Sequence, residues 1–277
     1  MKNMEILEKI AGAPDWGTIG PEFVRANKVL AEHFGAAYGL IVFSATAGLE
    51  AILRGWNVGY GDEVLIGDYS DPADTMVTAA VGATPVFAAI SLETRSLTPE
   101  DLEKKRTEKT RAVIVDFPAG KICGIRELKS YCEEKNLKLI LNLDGAGAEG
   151  EFPVQYADAA FLDLSCAAGL AGLVLTDVQE NFDLFYAYHN CGRPFGEGCT
   201  LSFENIIGGD LRVAEWQAGI LAERIGELDE ILKRQAAEKI YEVMHDQPFL
   251  QEEYFRKLTG STIRYEEGTY PNSEKMK

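Results

Sequence analysis

Short apolar segments alternate with helical patterns along the first two-thirds of the chain. Residues 63–66 and 111–116 are strand-like apolar runs, and residues 21–34 place their apolar side chains mostly on one helical face. Parallel strands need helical crossovers, and strands covered on both faces are apolar throughout. The sequence therefore predicts an α/β fold in which a largely parallel sheet lies between helices.

Capping residues and turns define the predicted elements more closely. Thr98 and Pro99 are suited to the N-cap and first positions of a helix, and Gly35 is suited to end one. One unbroken helical pattern runs over residues 211–244, as in a helix that packs on its own domain or docks on a partner. The predicted strands are 40–43, 63–66, 85–88, 111–116, 137–142 and 173–176, and the other predicted helices are 21–34, 47–56, 74–81, 125–135 and one that begins at 98.

Composition and charge limit the partners, metal sites and cellular location that this protein can be expected to have. The 277 residues carry a formal net charge of −17, which disfavours nucleic acid and anionic membrane surfaces as partners. The five cysteines contain no CxxC pair, so reduced thiols are expected and no metal site is predicted. There is no apolar leader and no run of membrane-spanning length, which predicts a cytoplasmic protein.

We expect a large α/β domain over residues 1–210, and a long helix with a short C-terminal remnant over residues 211–277.

An ordered series of motifs between residues 14 and 245 resembles one known family. The motifs are Trp16-Gly-Thr-Ile-Gly-Pro21, Ser44-Ala-Thr-Ala47, Gly59-Tyr-Gly-Asp-Glu-Val64, Gly82-Ala-Thr-Pro-Val-Phe87, Leu97-Thr-Pro-Glu100 and Arg212-Val-Ala-Glu-Trp-Gln-Ala218. They occur in the order of the DegT/StrS family, the sugar-nucleotide aminotransferases that depend on pyridoxal phosphate (PLP, fold type I). The resemblance implies a mostly parallel seven-stranded sheet and a dimer with active sites at its interface. It also implies a C-terminal domain that is largely absent from this chain.

The positions that would hold PLP by this resemblance are altered. The family's phosphate-binding Ser-Gly-Thr turn is Ser44-Ala45-Thr46 here, where Thr46 either binds phosphate at a helix N-terminus or belongs to a turn that only caps its helix. The aromatic residue that stacks on the cofactor ring corresponds to Asp71. The aspartate that pairs with the ring nitrogen corresponds to Asn142, with Asp144 as its substitute if the register shifts by two residues; otherwise Asp144 is a turn residue.

The Schiff-base lysine of the family has no counterpart. After Asp163 the family's lysine loop is shortened to the segment from Ser165 to Ala168, and no lysine occurs between residues 139 and 232. A PLP enzyme of this type needs that amine to hold the cofactor and to move protons. Lys121, which follows a predicted strand, is either a replacement near the site or a solvated loop residue.

Three further positions correspond to residues that bind the substrate in the family, namely Trp16, Thr18 and Arg212. Asp210 stands where the family has an asparagine that reaches the neighbouring subunit's cofactor phosphate, and an aspartate there would repel a phosphate.

The sequence thus predicts an aminotransferase-like protein that is catalytically inactive and acts as a binding or partner subunit. It is expected to form a homodimer, or a heterodimer with a full-length family member, and to bind no cofactor. The alternative is a PLP-dependent sugar-nucleotide aminotransferase or related enzyme with a rearranged or inter-subunit site. We further expect the carboxyl ends of the strands to bring Thr46, Asp71, Asp116, Asn142, Asp144 and Asp163 around one cleft.

Overall fold

The computed structural model describes residues 2–12, 19–90, 96–117, 124–146, 152–195 and 207–245. The strands are β1 (Tyr38–Val42), β2 (Glu63–Gly67), β3 (Thr84–Ala88), β4 (Thr110–Asp116), β5 (Lys138–Asn142), β6 (Ala159–Asp163) and β7 (Gly172–Thr176). The helices are α1 (Lys2–Ala11), α2 (Pro21–Phe34), α3 (Ala45–Gly55), α4 (Pro72–Ala80), α5 (Pro99–Lys105), α6 (Ile125–Lys135), α7 (Ser165–Ala168), α8 (Gln179–His189), α9 (Glu215–Glu223) and α10 (Leu228–His245). Short 3-10 turns span Val154–Tyr156 and Ile225–Glu227.

The strands form one seven-stranded sheet in the order β1-β7-β6-β5-β4-β2-β3. Strands β2 to β6 pair in parallel, whereas β7 is antiparallel to both β1 and β6. The predicted largely parallel sheet is therefore confirmed. We call the edge where β2, β4, β5 and β6 end the carboxyl edge, and the opposite one the amino edge. Because β7 runs in reverse, its first residue lies at the carboxyl edge beside the end of β1.

Local sequence signals predict several helix ends correctly. Helix α2 ends where Gly35 adopts φ = 69°, a conformation that glycine enters without strain. Helix α5 begins at Pro99, and the Thr98 hydroxyl accepts a hydrogen bond from the Asp101 N–H at 3.3 Å. The sequence patterns do not predict α1, β6, α7 or α8.

The prediction of one helix over residues 211–244 is wrong. Helix α9 begins only at Glu215, and Arg224 and the turn Ile225–Glu227 separate it from α10. Helix α9 packs on both α2 and α7, and α10 packs on α7 beyond the break. At the break the Arg224 guanidinium donates to the carbonyl of Ala167. Apolar periodicity continues through such a turn, which is why the sequence pattern does not reveal it.

A buried carboxylate joins α9 to the start of α2. Glu215 accepts hydrogen bonds from the backbone N–H groups of Gly20 (3.0 Å), Glu22 (2.5 Å) and Phe23 (3.3 Å). These are N–H groups that the first turn of a helix cannot satisfy internally. Glu215 therefore caps α2 from 192 or more residues away in the chain. Among the described helices, none has the length and apolar character of a membrane span.

Candidate functional site

Side chains at the carboxyl edge form a connected polar layer. Strands β4, β5 and β6 end at Asp116, Asn142 and Asp163, and Asp71 and Asp144 lie in the turns beyond β2 and β5. All five belong to the set that the sequence analysis expected around one cleft. Their hydrogen bonds, together with those of Asp74, bring them into contact along the edge.

Asp71 and Asp116 are joined through the backbone. Asp71 is the N-cap of α4 and accepts the N–H of Ala73 at 2.9 Å, while its own N–H donates to Asp116 Oδ2 at 2.8 Å. Asp116 Oδ1 also accepts the N–H of Phe117 at 2.6 Å. Asp71, predicted at the ring-stacking position of the family, thus serves as a helix cap in this structure.

Asp74 lies beneath this layer and is only 1% exposed. Asn142, 2% exposed, donates from Nδ2 to both carboxyl oxygens of Asp74 at 3.2 Å. Burial raises the pKa of Asp74 well above its usual range, and the nearby Asp116 and Asp71 raise it further. The amide of Asn142 is therefore engaged inside the protein by a carboxyl group.

Asp144 and Asp163 link β5, β6, α7 and α10. Asp144 donates its N–H to Asn142 Oδ1 at 3.2 Å, and its Oδ1 accepts the N–H of Asp163 at 2.6 Å. Asp163 accepts the N–H (3.0 Å) and the hydroxyl (2.6 Å) of Ser165 and the Nε2 group of Gln235 (3.1 Å). Helix α7 is thereby tied to the end of β6.

The N-terminus of α3 reaches the same edge. Ser44 is its N-cap, with Oγ accepting the N–H of Ala47 at 3.1 Å and lying 2.9 Å from the hydroxyl of exposed Thr46. A Cβ on Gly172 would lie 2.4 Å from the Ser44 carbonyl carbon and 2.5 Å from the Ala45 nitrogen. The start of β7 therefore packs directly on this turn. Thr46 itself is not the cap, so its hydroxyl remains a candidate for binding a ligand.

Arg212 and Asp210 form an ion pair beside this turn. Arg212 donates to the two Asp210 oxygens at 2.7 and 2.8 Å, and the hydrogen bond with Arg212 lowers the pKa of Asp210. The Phe43 N–H donates to the Leu211 carbonyl, which brings the segment close to Ser44. The guanidinium of Arg212 is thus held by a carboxylate of its own segment.

His189 is a buried polar residue behind this segment. It is fully buried and stacks on Phe23 with ring centroids 5.7 Å apart. Burial lowers the pKa of His189 to about 4, and the nearby Arg212 lowers it further. Within the described part of the chain, neither ring nitrogen has a hydrogen-bond partner. The imidazole is therefore neutral at pH 7.

Two members of the network, Asp74 and Gln235, were not foreseen from the sequence. Asp74 was only the first residue of a predicted helix, and Gln235 was part of a long polar helical pattern. A local signal for Asp74 did exist, because it lies in the first turn of the helix that follows β2, close to the carboxyl edge. Gln235 meets Asp163 from 72 residues away in the chain, so no local signal could have found it.

Three predicted residues, Trp16, Thr18 and Lys121, lie outside the described residues. Within the described ranges, no group of three or more His, Cys, Asp and Glu side chains is arranged to hold a metal ion.

A separate cleft of about 1130 Å³ opens at the amino edge of the sheet. Its lining includes Arg111, which donates to Asp62 at 3.0 Å, and Lys138, which lies 5.2 Å from the Trp56 ring centre and 3.8 Å from Asp158. These cations already have anionic or aromatic partners, so the carboxyl edge remains the candidate site.

Comparison with curated proteins finds aminotransferases. The chain is 27% identical over 245 residues to dTDP-3-amino-3,6-dideoxy-alpha-D-galactopyranose transaminase of Aneurinibacillus thermoaerophilus, covering 85% of this chain and 66% of that protein. It is 26% identical over 283 residues to L-glutamine:2-deoxy-scyllo-inosose aminotransferase of Streptomyces kanamyceticus, covering 94% of this chain and 66% of that protein. The chain therefore spans just under two thirds of the length of these relatives.

Solved structures share the fold. NtdA of Bacillus subtilis with bound cofactor PMP superposes with a TM-score of 0.74 at 21% identity, over 83% of this chain and 53% of that one. The 3-amino-5-hydroxybenzoic acid synthase superposes with a TM-score of 0.72 at 24% identity, over 83% and 62%. These similarities show that the α/β fold is the one of PLP-dependent aminotransferases.

A family model covers almost the whole chain. The model of the DegT/DnrJ/EryC1/StrS aminotransferase family matches residues 2–257. This match, together with the fold and the ordered motifs, identifies the chain as a member of the DegT/DnrJ/EryC1/StrS aminotransferase family.

Proposed function

We propose that this chain is a non-catalytic member of its family that acts as a binding or partner subunit. The observation that carries the proposal is the replacement of the lysine segment by α7. The segment from Ser165 to Ala168 offers no amine, and no lysine occurs between residues 139 and 232. Transamination on PLP requires an amine nucleophile that holds the cofactor and shuttles its protons.

The residues at the carboxyl edge do not fit PLP. The Asn142 amide carries no negative charge for a ring nitrogen, and its Nδ2 group already donates to Asp74. Asp71 offers a carboxylate where the resemblance implies an aromatic ring, and that carboxylate caps α4. Asp144, the substitute acid, has one oxygen held by the Asp163 N–H. These residues therefore support no catalytic step through PLP.

The proposal is tested with the purified full chain and PLP. We expect no absorbance band of an internal aldimine, and no pyridoxyl-lysine by mass spectrometry after borohydride reduction. A stoichiometric adduct at one lysine, for example Lys121, together with turnover of an amino donor, would overturn the proposal. If such an adduct forms, Lys121→Arg is the matched variant that assigns it.

The second candidate function is an enzyme that shares its site with another subunit. It is favoured by the relatives, which are named as aminotransferases, and by the PMP-bound structure among the fold neighbours. In this reading a full-length family member supplies the lysine across a dimer interface, and PLP is the cofactor. The two candidate functions are distinguished by co-purifying this chain with such a protein and assaying the mixture for transaminase activity. Activity above that of the partner alone supports the shared site.

A further inference from the structure

Four carboxylates of the carboxyl edge accept hydrogen bonds from backbone N–H groups. These pairs are Asp71 with Ala73, Asp116 with Asp71 and Phe117, Asp144 with Asp163, and Asp163 with Ser165, at donor–acceptor distances between 2.6 and 3.0 Å. The N–H groups belong to turns and helix starts at the strand ends, where neither a strand nor a helix satisfies them. An unpaired N–H group in such a place is costly, so each carboxylate has a structural task.

Two of these carboxylates, those of Asp144 and Asp163, connect with Asn142 and Asp74 into one network. Asn142 joins Asp74 to Asp144, Asp144 joins Asn142 to Asp163, and Asp163 in turn holds Ser165 of α7 and Gln235 of α10. The network therefore crosses from α4 over β5 and β6 to α7 and α10. Its members are held by the fold itself, and no ligand is needed to complete these bonds.

We infer that the carboxyl edge is closed by its own carboxylates, which satisfy backbone N–H groups at the strand ends and exclude phosphorylated ligands, PLP included. The inference builds on the proposed function, because it explains why the edge would hold no PLP. It can nevertheless fail separately, since a chain that binds phosphate tightly can still lack transaminase activity.

Electrostatics supports the exclusion. A phosphate group would bring further negative charge beside Asp71, Asp116, Asp144 and Asp163, and like charges repel most where water is scarce. The neighbouring carboxylates already raise the pKa of buried Asp74, in addition to the effect of burial. A negative potential that opposes the ionisation of Asp74 also opposes a phosphate. Moving the carboxylates aside would leave their backbone N–H partners unsatisfied.

The direct test measures binding of inorganic phosphate and of PLP to the native full chain. Calorimetry and thermal unfolding are run with each ligand at up to about 1 mM. We expect no heat of binding and no change of the unfolding midpoint, whereas a ligand at about 100-fold its Kd would raise the midpoint by several degrees. A micromolar Kd that Thr46→Ala abolishes and Thr46→Ser preserves would overturn the inference. Scattered pyridoxyl adducts on surface lysines without a midpoint shift would agree with it.

The structural half of the inference is tested without ligand. Asp163→Ala removes the acceptor of two Ser165 bonds and of Gln235, whereas Asp163→Asn keeps an acceptor oxygen. The exposed Asp229→Asn is the control, since its carboxylate pairs only with His33 at the surface among the described residues. We expect the decrease in unfolding midpoint to be smallest for Asp229→Asn, larger for Asp163→Asn and largest for Asp163→Ala. An Asp163→Ala protein as stable as the native chain would overturn the inference. If Asp163→Ala does not fold, phosphate binding to the native chain decides.

Transaminase turnover with PLP would contradict the proposed function. Phosphate binding without turnover would contradict only this inference.

Discussion

Glu215 provides the sharpest test of how this fold is held together. Its carboxylate is 6% exposed and accepts three backbone N–H groups at the start of α2, those of Gly20, Glu22 and Phe23. The contact is close: a Cβ on Gly20 would lie 2.5 Å from Glu215 Oε1. Glu215→Ala would leave these N–H groups without an acceptor in a place that water reaches poorly.

The expected cost follows from these bonds. The N–H groups of Glu22 and Phe23 are bonded in the interior, and each buried unsatisfied group costs about 1–3 kcal/mol. We therefore expect Glu215→Ala to lower the free energy of unfolding by about 2–6 kcal/mol. Glu215→Gln keeps one acceptor oxygen and loses the charge, so its cost is expected to be roughly half as large.

The assay is equilibrium urea unfolding followed by circular dichroism, with the slope m checked for constancy. Glu223→Ala is the matched control on the same helix, because Glu223 is 35% exposed and pairs only with Arg25 in the described structure. Its expected cost is below about 1 kcal/mol. If Glu215→Ala unfolds within about 1 kcal/mol of the native chain, or no more easily than Glu223→Ala, the capping role assigned to Glu215 is wrong.

Two further predictions concern His189 and Gly172. The pKa of His189 is lowered to about 4 in the folded chain, so as pH falls from 6.5 to 4 the unfolded chain takes up the His189 proton before the folded chain does. The free energy of unfolding therefore decreases over this pH range. His189→Phe should remove about 3 kcal/mol of that decrease, measured by urea titrations at pH values across the range. An unchanged pH profile in the variant would count against this role. Gly172→Ala should destabilise the fold by about 1–3 kcal/mol, because the added Cβ would collide with the Ser44–Ala45 backbone. The control is Gly226→Ala, which has open space for a Cβ and should leave the thermal unfolding midpoint nearly unchanged. Equal melting of the two variants would refute the close contact.

Much of the fold was predictable because its signals are local. The apolar strand runs, the cap at Thr98 and the left-handed residue Gly35 act over a few neighbouring residues, and the structure confirms them. The alternation of strands and helices was enough to predict the parallel sheet, since parallel neighbours require crossovers. The absence of a lysine between residues 139 and 232 is likewise a property of sequence alone.

The site was predictable only in part. The sequence placed Asp116 and Asn142 at the ends of predicted strands, and the parallel topology brings such ends to one edge. It could not assign their hydrogen bonds, because each carboxylate could equally face a ligand, water or the backbone.

Tertiary structure alone decided the long-range pairings. The break between α9 and α10 is invisible to apolar periodicity, and the folded chain brings Gln235 to Asp163 and Glu215 to the start of α2. These partners are separated by 72 and 193 residues, so no local pattern encodes them. Sequence determined many of the elements and the absence of lysine from residues 139–232. Packing determined which polar groups meet, because only the folded chain brings distant donors and acceptors within hydrogen-bond distance.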